Sequence, residues 1–313
     1  MSKVSVIGAG HVGATTTHLL ALKGLADVTL IDVVDGLAQG KALDISQGAP
    51  VEGFSVRVQG TTDLAAVQGS QLVIITAGMA RKPGMSRDDL LAANANIVGP
   101  VADQIKRSAP QAIVIVVTNP LDVMTALALE RTGFARTHVM GMAGVLDTSR
   151  LRTFIGMRLG VPPSDVEAMI LGSHGDLMVP IRSSITVYGT PVSALIPAPE
   201  FEQILQRAKE GGAEIVKYLK QGSAYYAPAS GAVEMAAAIL RDTHRVLPVC
   251  VRLQGEYGIK DVCVGVPAQL GAAGIERVVE MPLEPGDRQA LSACAEQVRG
   301  MVNSLATLAA RPA

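Results

Sequence analysis

The chain has 313 residues, 49% of them apolar and 18% charged, with a formal net charge of −1. That length suggests about two domains, and that composition supports a sizeable core and excludes a disordered chain. With no Lys/Arg run, no Trp and only 3% aromatic residues, neither nucleic acid nor an anionic membrane is an expected partner, so the substrate should be small.

Taken in order, "KVSVIG" reads as a strand, "GAGHVGATTT" as a glycine-rich turn opening a helix near His11, and "DVTLID" as a second strand. A helical stretch around "GLAQGKALDIS" follows, then the short Val/Ile-rich runs "FSVRVQG", "SQLVIITAG" and "AIVIVVTNP". The helical segment "DDLLAANANIVGPVADQIKRSAP" separates the last two, and "HVMGMAG" looks like a sixth strand. Apolar strands alternating with helices imply a parallel sheet covered on both faces, the doubly wound α/β arrangement of the Rossmann fold. Ligands in that arrangement sit at the carboxyl ends of the strands.

The pattern then changes. A helix is expected over 148–160, strands at "VEAMILGSHG" and "SSITVYGTPV", and long helices over 199–221 and 229–244. Strands at "RVLPVCVRL", "DVCVGVPAQL" and "GIERVVEM" precede a terminal helix from about 286. This mixture predicts a second α+β domain over 146–313, after a dinucleotide-binding domain over 1–145. Cys250, Cys263 and Cys294 match no metal spacing and read as free thiols in a reducing compartment. The chain opens on a strand pattern and carries no apolar run of membrane-crossing length, so a cytoplasmic protein without a metal is expected.

The turn at Gly8, Ala9, Gly10, His11, Val12 and Gly13 admits two readings. As G-x-G-x-x-G it seats a dinucleotide pyrophosphate on a helix N-terminus. As G-x-x-x-x-G-x-T it resembles a triphosphate P-loop, but Ala14 stands where that motif needs lysine. Asp32 closes the second strand, where an acid accepts hydrogen bonds from the adenosine ribose. Its charge repels a 2′-phosphate, and no Arg follows in "DVVDGL", so NAD is expected rather than NADP.

Four other stretches carry chemistry-bearing side chains. "AGMARKPGMSRDD" holds Arg81 and Arg87 in a loop after a strand, and "VTNP" puts Asn119 at a strand end. "GVLDTSR" puts Asp147 and Arg150 three apart, able to share a helix face, and "ILGSHGD" puts His174 in a glycine-flanked loop. Each alone has an ordinary explanation as a turn residue, helix cap or surface charge. Together they suit hydride transfer. A histidine exchanges the alcohol proton near neutrality, a carboxylate on its other nitrogen fixes the tautomer, and arginines grip carboxylates in two parallel hydrogen bonds. A short-chain dehydrogenase is disfavoured because no tyrosine has a lysine four residues on. An NAD-binding sensor without catalysis would leave the His, Asp and Arg set unexplained.

The glycine turn, Asp32, "VTNP", "LDTSR" and "GSHGD" resemble, in order and spacing, the motifs of the lactate/malate dehydrogenase family along the whole chain. The resemblance implies that His174 is the proton donor and acceptor, oriented by Asp147. It implies that Arg150 clamps the carboxylate next to the reacting carbon and that Arg87, on a mobile loop, polarises the carbonyl. Asn119 would hold the substrate oxygen and His174, while Asn94 and the backbone of Val117, Thr118 and Asn119 would touch NAD. Lactate enzymes of the family usually carry glutamine where Arg81 stands; arginine implies a second substrate carboxylate, hence malate and oxaloacetate. The resemblance also implies a homodimer or homotetramer. Removing one partner of a desolvated charge pair costs about 2–5 kcal/mol. Arg81→Gln should therefore lower kcat/KM for oxaloacetate by at least about tenfold and narrow its lead over pyruvate, read from parallel steady-state assays. Unchanged discrimination removes Arg81 from that role.

Overall fold

A computed structural model describes residues 2–80 and 84–309. Strand β1 (Lys3–Ile7) leads through α1 (His11–Leu22) to β2 (Asp27–Ile31), α2 (Leu37–Glu52) and β3 (Val58–Thr61). Next come β4 (Leu72–Ile75), α3 (Arg87–Ser108), β5 (Ile113–Val116), α4 (Leu121–Thr132) and β6 (Val139–Gly141). These strands lie parallel in the order β3-β2-β1-β4-β5-β6. "LVII" of β4 and "IVIV" of β5 are buried at every position, because helices cover both faces of the sheet. The order reverses between β1 and β4, and the crevice at their carboxyl ends is where such sheets hold a ligand.

The second half runs from α5 (Gly144–Leu159) through β7 (Val166–Glu167), β8 (Ile170–Gly172), β9 (Met178–Pro180), β10 (Thr186–Val187) and β11 (Thr190–Pro191). It continues with α6 (Ala198–Leu219), α7 (Tyr226–Leu240), β12 (Arg245–Gln254), β13 (Lys260–Gly271), β14 (Gly274–Val278) and α8 (Pro285–Ala309). Strand β12 pairs antiparallel with both β6 and β13, so the second half extends the first sheet, through β8 to β9. Its own small sheet is β11-β10-β7. The result is a mostly parallel Rossmann half joined to an α+β half. Among the described residues, no helix is long and apolar enough to cross a membrane.

Several expected boundaries move, each for a local reason. The helix expected over 148–160 begins at Gly144, which brings Asp147 into its first turn and puts residue 145 inside the helix. A Cβ on Gly144 would stand 2.6 Å from the Ile170 carbonyl oxygen and 2.7 Å from Pro248 Cβ, so glycine lets α5 start hard against β8 and β12. "SSITVYGTPV" is a hairpin rather than one strand, because Tyr188 and Gly189 take positive φ values of 48° and 76° between β10 and β11. In "FSVRVQG" only the end joins the sheet; Phe54 and Val56 are buried beside Ala21 instead.

The glycine turn is built by close packing. A Cβ on Gly13 would overlap the Gly8 carbonyl oxygen and stand 2.7 Å from Thr76 Oγ1, whereas one on Gly10 meets nothing within 4 Å. Overpacking costs about 1–3 kcal/mol. Gly13→Ala should therefore lower the melting temperature by about 2 °C or more, and Gly10→Ala should leave it near the parent value, both by differential scanning fluorimetry.

Candidate active site

Gly10 stands at the N-cap of helix α1 and offers no side-chain cap, so the amides of the first turn stay available to an anion, and the helix dipole adds partial positive charge. The turn before it is tied from three sides. The Ala9 N–H donates to Asp32 Oδ2 at 2.6 Å, Lys41 Nζ donates to the Ala9 carbonyl at 2.6 Å, and Thr76 Oγ1 donates to the Gly8 carbonyl at 3.0 Å. Asp32 also accepts from the Val34 N–H at 3.0 Å. The half-buried Asp32 thus braces the turn it was expected to serve only through a ribose. The open space at Gly10, the uncapped amides and the adjacent carboxylate fit the phosphate and ribose of a bound NAD. Lys41 was not singled out from the sequence; nothing in "GKALD" distinguishes it from a solvated helical lysine.

At the neighbouring strand ends lies a cleft of about 250 Å³ whose lining includes Val12, Val117, Asn119, Arg150 and His174. It joins the glycine turn to the residues expected to do chemistry. His174 Nδ1 donates to Asp147 Oδ2 at 2.9 Å, which leaves Nε2 as the ring atom for substrate. Asp147 is 1% exposed in the first turn of α5, and Arg150, one turn on, brings Nη1 to 3.5 Å from Asp147 Oδ1. The Arg150 side chain is 11% exposed, and among the described residues its Nε has no hydrogen-bond partner. A buried guanidinium whose near carboxylate already serves His174 is poised for another carboxylate.

Burial acts most strongly on the His174 ring and disfavours its charged form. The Asp147 carboxylate, by charge and hydrogen bond, outweighs this with help from Asp122 and against Arg150, so the His174 pKa lies above its ordinary value. Burial lowers the Arg150 pKa, and Asp147 opposes that shift.

The remaining expected residues divide. Arg87 is the first residue of α3, after the capping box of Ser86 and Asp89, and its guanidinium lies 3.7 Å from Asp176 on the histidine loop. Both side chains are exposed. Thr118 Oγ1 donates to the Ala77 carbonyl at 2.7 Å and holds the ends of β4 and β5 together. Asn94, expected to touch NAD, is fully buried and already committed. Its carboxamide donates to the carbonyls of Asn119 at 2.6 Å and Met79 at 3.1 Å and accepts from the Met79 N–H at 2.7 Å. It therefore sets the backbone of Asn119. Arg81 lies outside the described residues. His11 stacks on Tyr225, with ring centroids 4.9 Å apart, and links the turn to the segment before α7.

Sequence reading missed Gly211 and Gly212. A Cβ on Gly211 would stand 3.1 Å from Arg150 Cδ, and one on Gly212 3.5 Å from its guanidinium, so α6 leaves room for that side chain. The available signal was a Gly-Gly pair inside a helical pattern, where glycine is costly. Asp122 and Ser173 were missed as well.

Residues 2–141 match the lactate/malate dehydrogenase NAD binding domain, and residues 144–308 match the lactate/malate dehydrogenase alpha/beta C-terminal domain. A malate dehydrogenase of Chloroherpeton thalassium is 54% identical over 298 residues, spanning 95% of this chain and 96% of that protein. Among solved structures, the malate dehydrogenase from Picrophilus torridus superposes with a TM-score of 0.95 at 38% identity, covering 98% of both chains. The lactate dehydrogenase from Cryptosporidium parvum, complexed with lactic acid and nicotinamide adenine dinucleotide, superposes with 0.94 at 40% identity, covering 99% of both.

The Asp147–His174 pair yields a direct test. Asp147→Asn removes the charge that raises the ring's pKa and leaves Arg150 opposing it. The His174 pKa should fall by about 1 unit or more in a proton NMR titration of the ligand-free protein. Stability from the pair is present below the unfolded histidine value of about 6.5 and lost as pH rises through the higher folded value. The variant should therefore be most destabilised at mildly acidic pH.

Proposed function

The chain belongs to the lactate/malate dehydrogenase family, and from that premise we propose that it interconverts (S)-malate and oxaloacetate with NAD. The observation that carries the reading is one buried cleft in which a histidine is paired to a carboxylate beside an arginine with unused donors. When bound at the glycine turn, NAD supplies the hydride carrier. The protein supplies the rest. In the reducing direction His174 Nε2 gives its proton to the carbonyl oxygen of oxaloacetate, and in the oxidising direction the neutral ring takes it back. Asp147 holds the ring by Nδ1 and favours the imidazolium. Arg150 receives the carboxylate next to the reacting carbon. Arg87 is the cation for the oxygen as it gains charge, and Asn119 positions that oxygen.

The curated relatives support malate over lactate. The backbone alone does not decide between them, since a lactate dehydrogenase superposes as closely as the malate enzymes. Discrimination falls to side chains in the sequence segment before α3, where the charge of Arg81 matches that of a second carboxylate. The proposal extends to a domain division near residue 145, a cytoplasmic enzyme of the tricarboxylic acid cycle, and a homodimer or homotetramer.

The deciding experiment follows NADH absorbance with oxaloacetate, pyruvate and 2-oxoglutarate in parallel, then repeats it with NADPH. Oxaloacetate should be reduced at least about tenfold more efficiently than the other acids, and NADPH should serve poorly. Faster turnover of pyruvate favours a lactate enzyme; NAD binding without turnover of any ketoacid favours a sensor. For oxaloacetate reduction, kcat/KM should be flat at low pH and fall as pH rises through a value above the ordinary 6.5 of histidine. Malate oxidation should show the opposite limb.

A further inference from the structure

Behind His174 lies a second carboxylate that this scheme does not use. Asp122 is 2% exposed in the first turn of α4, three residues after Asn119. Its Oδ2 accepts a hydrogen bond from Ser173 Oγ, on the residue immediately before His174. Among the described residues its Oδ1 receives no N–H or O–H donor, and the Cys250 thiol lies beside the carboxylate. The Ser173 backbone N–H donates to Cys294 Sγ at 3.1 Å. Ser173 is therefore held from two directions, by an acid on α4 and a sulfur on α8, and both contacts fix the start of the histidine loop.

A buried acid with an unsatisfied oxygen costs stability and calls for an explanation. A helix-dipole role explains its place in the first turn of α4, but not the link across the chain to the residue next to the catalytic histidine. Burial acts most strongly on Asp122 and pushes its carboxyl above its ordinary value, while the Ser173 hydroxyl, the Cys250 thiol and the His174 ring act against that shift. Among the described residues, the charged groups around His174 are Asp147 and Arg150 from α5, Asp122 from α4, and the exposed Arg87–Asp176 pair. The thiols of Cys250 and Cys294 are neutral neighbours; burial pushes Cys294 up to about 11 and Cys250 well above its ordinary value.

We propose that Asp122 is a positioning residue for proton transfer: through Ser173 it sets the histidine loop, and its negative charge favours the His174 imidazolium. This makes two acids, one direct and one relayed, serve a single ring. The proposal rests on His174 being the proton carrier of the reading above.

Two variants test it. Asp122→Asn keeps the shape and removes the charge. The His174 pKa, read by proton NMR on the ligand-free protein, should drop by about half a unit or more, and the pH limb of oxaloacetate reduction should move down with it. Ser173→Ala keeps the charge and cuts the link. It should lower kcat by about tenfold or more and leave KM for oxaloacetate within about threefold, because the substrate-gripping arginines are untouched. A purely structural acid predicts instead a lower melting temperature with an unchanged titration and an unchanged pH limb, and that result overturns the proposal. Wild-type kcat in Ser173→Ala overturns it too. If Asp122→Asn does not fold, the kcat and KM of Ser173→Ala decide alone. The NMR titration needs no turnover, so a failed dehydrogenase reading (no NADH oxidation) is distinguishable from a failed Asp122 role (no change in the ring's pKa).

Discussion

The hydrogen bond between Asp147 and His174 is the contact on which the rest of the site depends. A carboxylate that is 1% exposed needs partners for its oxygens, and it has two here, the His174 ring and the Arg150 guanidinium. Its three groups come from one helix and one loop that are adjacent only because β8, β12 and β13 extend the parallel sheet. Gly144 permits the closest step of that approach, letting α5 begin against β8. Each part of the arrangement constrains the next: the sheet sets the helix start, the helix start sets Asp147, and Asp147 sets which ring nitrogen faces the cleft.

The same contact resolves an electrostatic conflict. Desolvation alone would keep the histidine neutral, which suits a base but not a proton donor. The carboxylate reverses that tendency, so one ring can hold or release a proton near neutrality. Arg150 pulls the other way, and it is the group left with unused donors. A negatively charged ligand on that guanidinium would reduce its opposition to the imidazolium. Anion binding and proton affinity would thereby be linked through two neighbouring side chains.

Some of this was legible in one dimension. The Rossmann half could be read because buried parallel strands are continuous apolar runs, and the strand, glycine turn, helix and acid follow one another locally. His174, Asp147 and Arg150 stood out through short motifs in glycine-flanked or helical settings. Local periodicity was a poorer guide in the second half. The hairpin at Tyr188 and Gly189 looked like one strand, and the start of α5 was placed too late. The bonds of the Asn94 carboxamide to Asn119 and Met79 leave no trace in the local pattern either.

By itself, then, the chain's order of residues determined the α/β class and the dinucleotide turn and marked out the candidate reacting groups, because those signals rest on neighbours within a few turns or one βαβ unit. Tertiary structure alone decided that the second half continues the first sheet and that Gly211 and Gly212 seat Arg150. It alone linked Asp122 to Ser173, 51 positions away. Contacts between residues so far apart leave no periodicity to read; they exist only once burial has brought the two segments together and each polar group has had to find a partner.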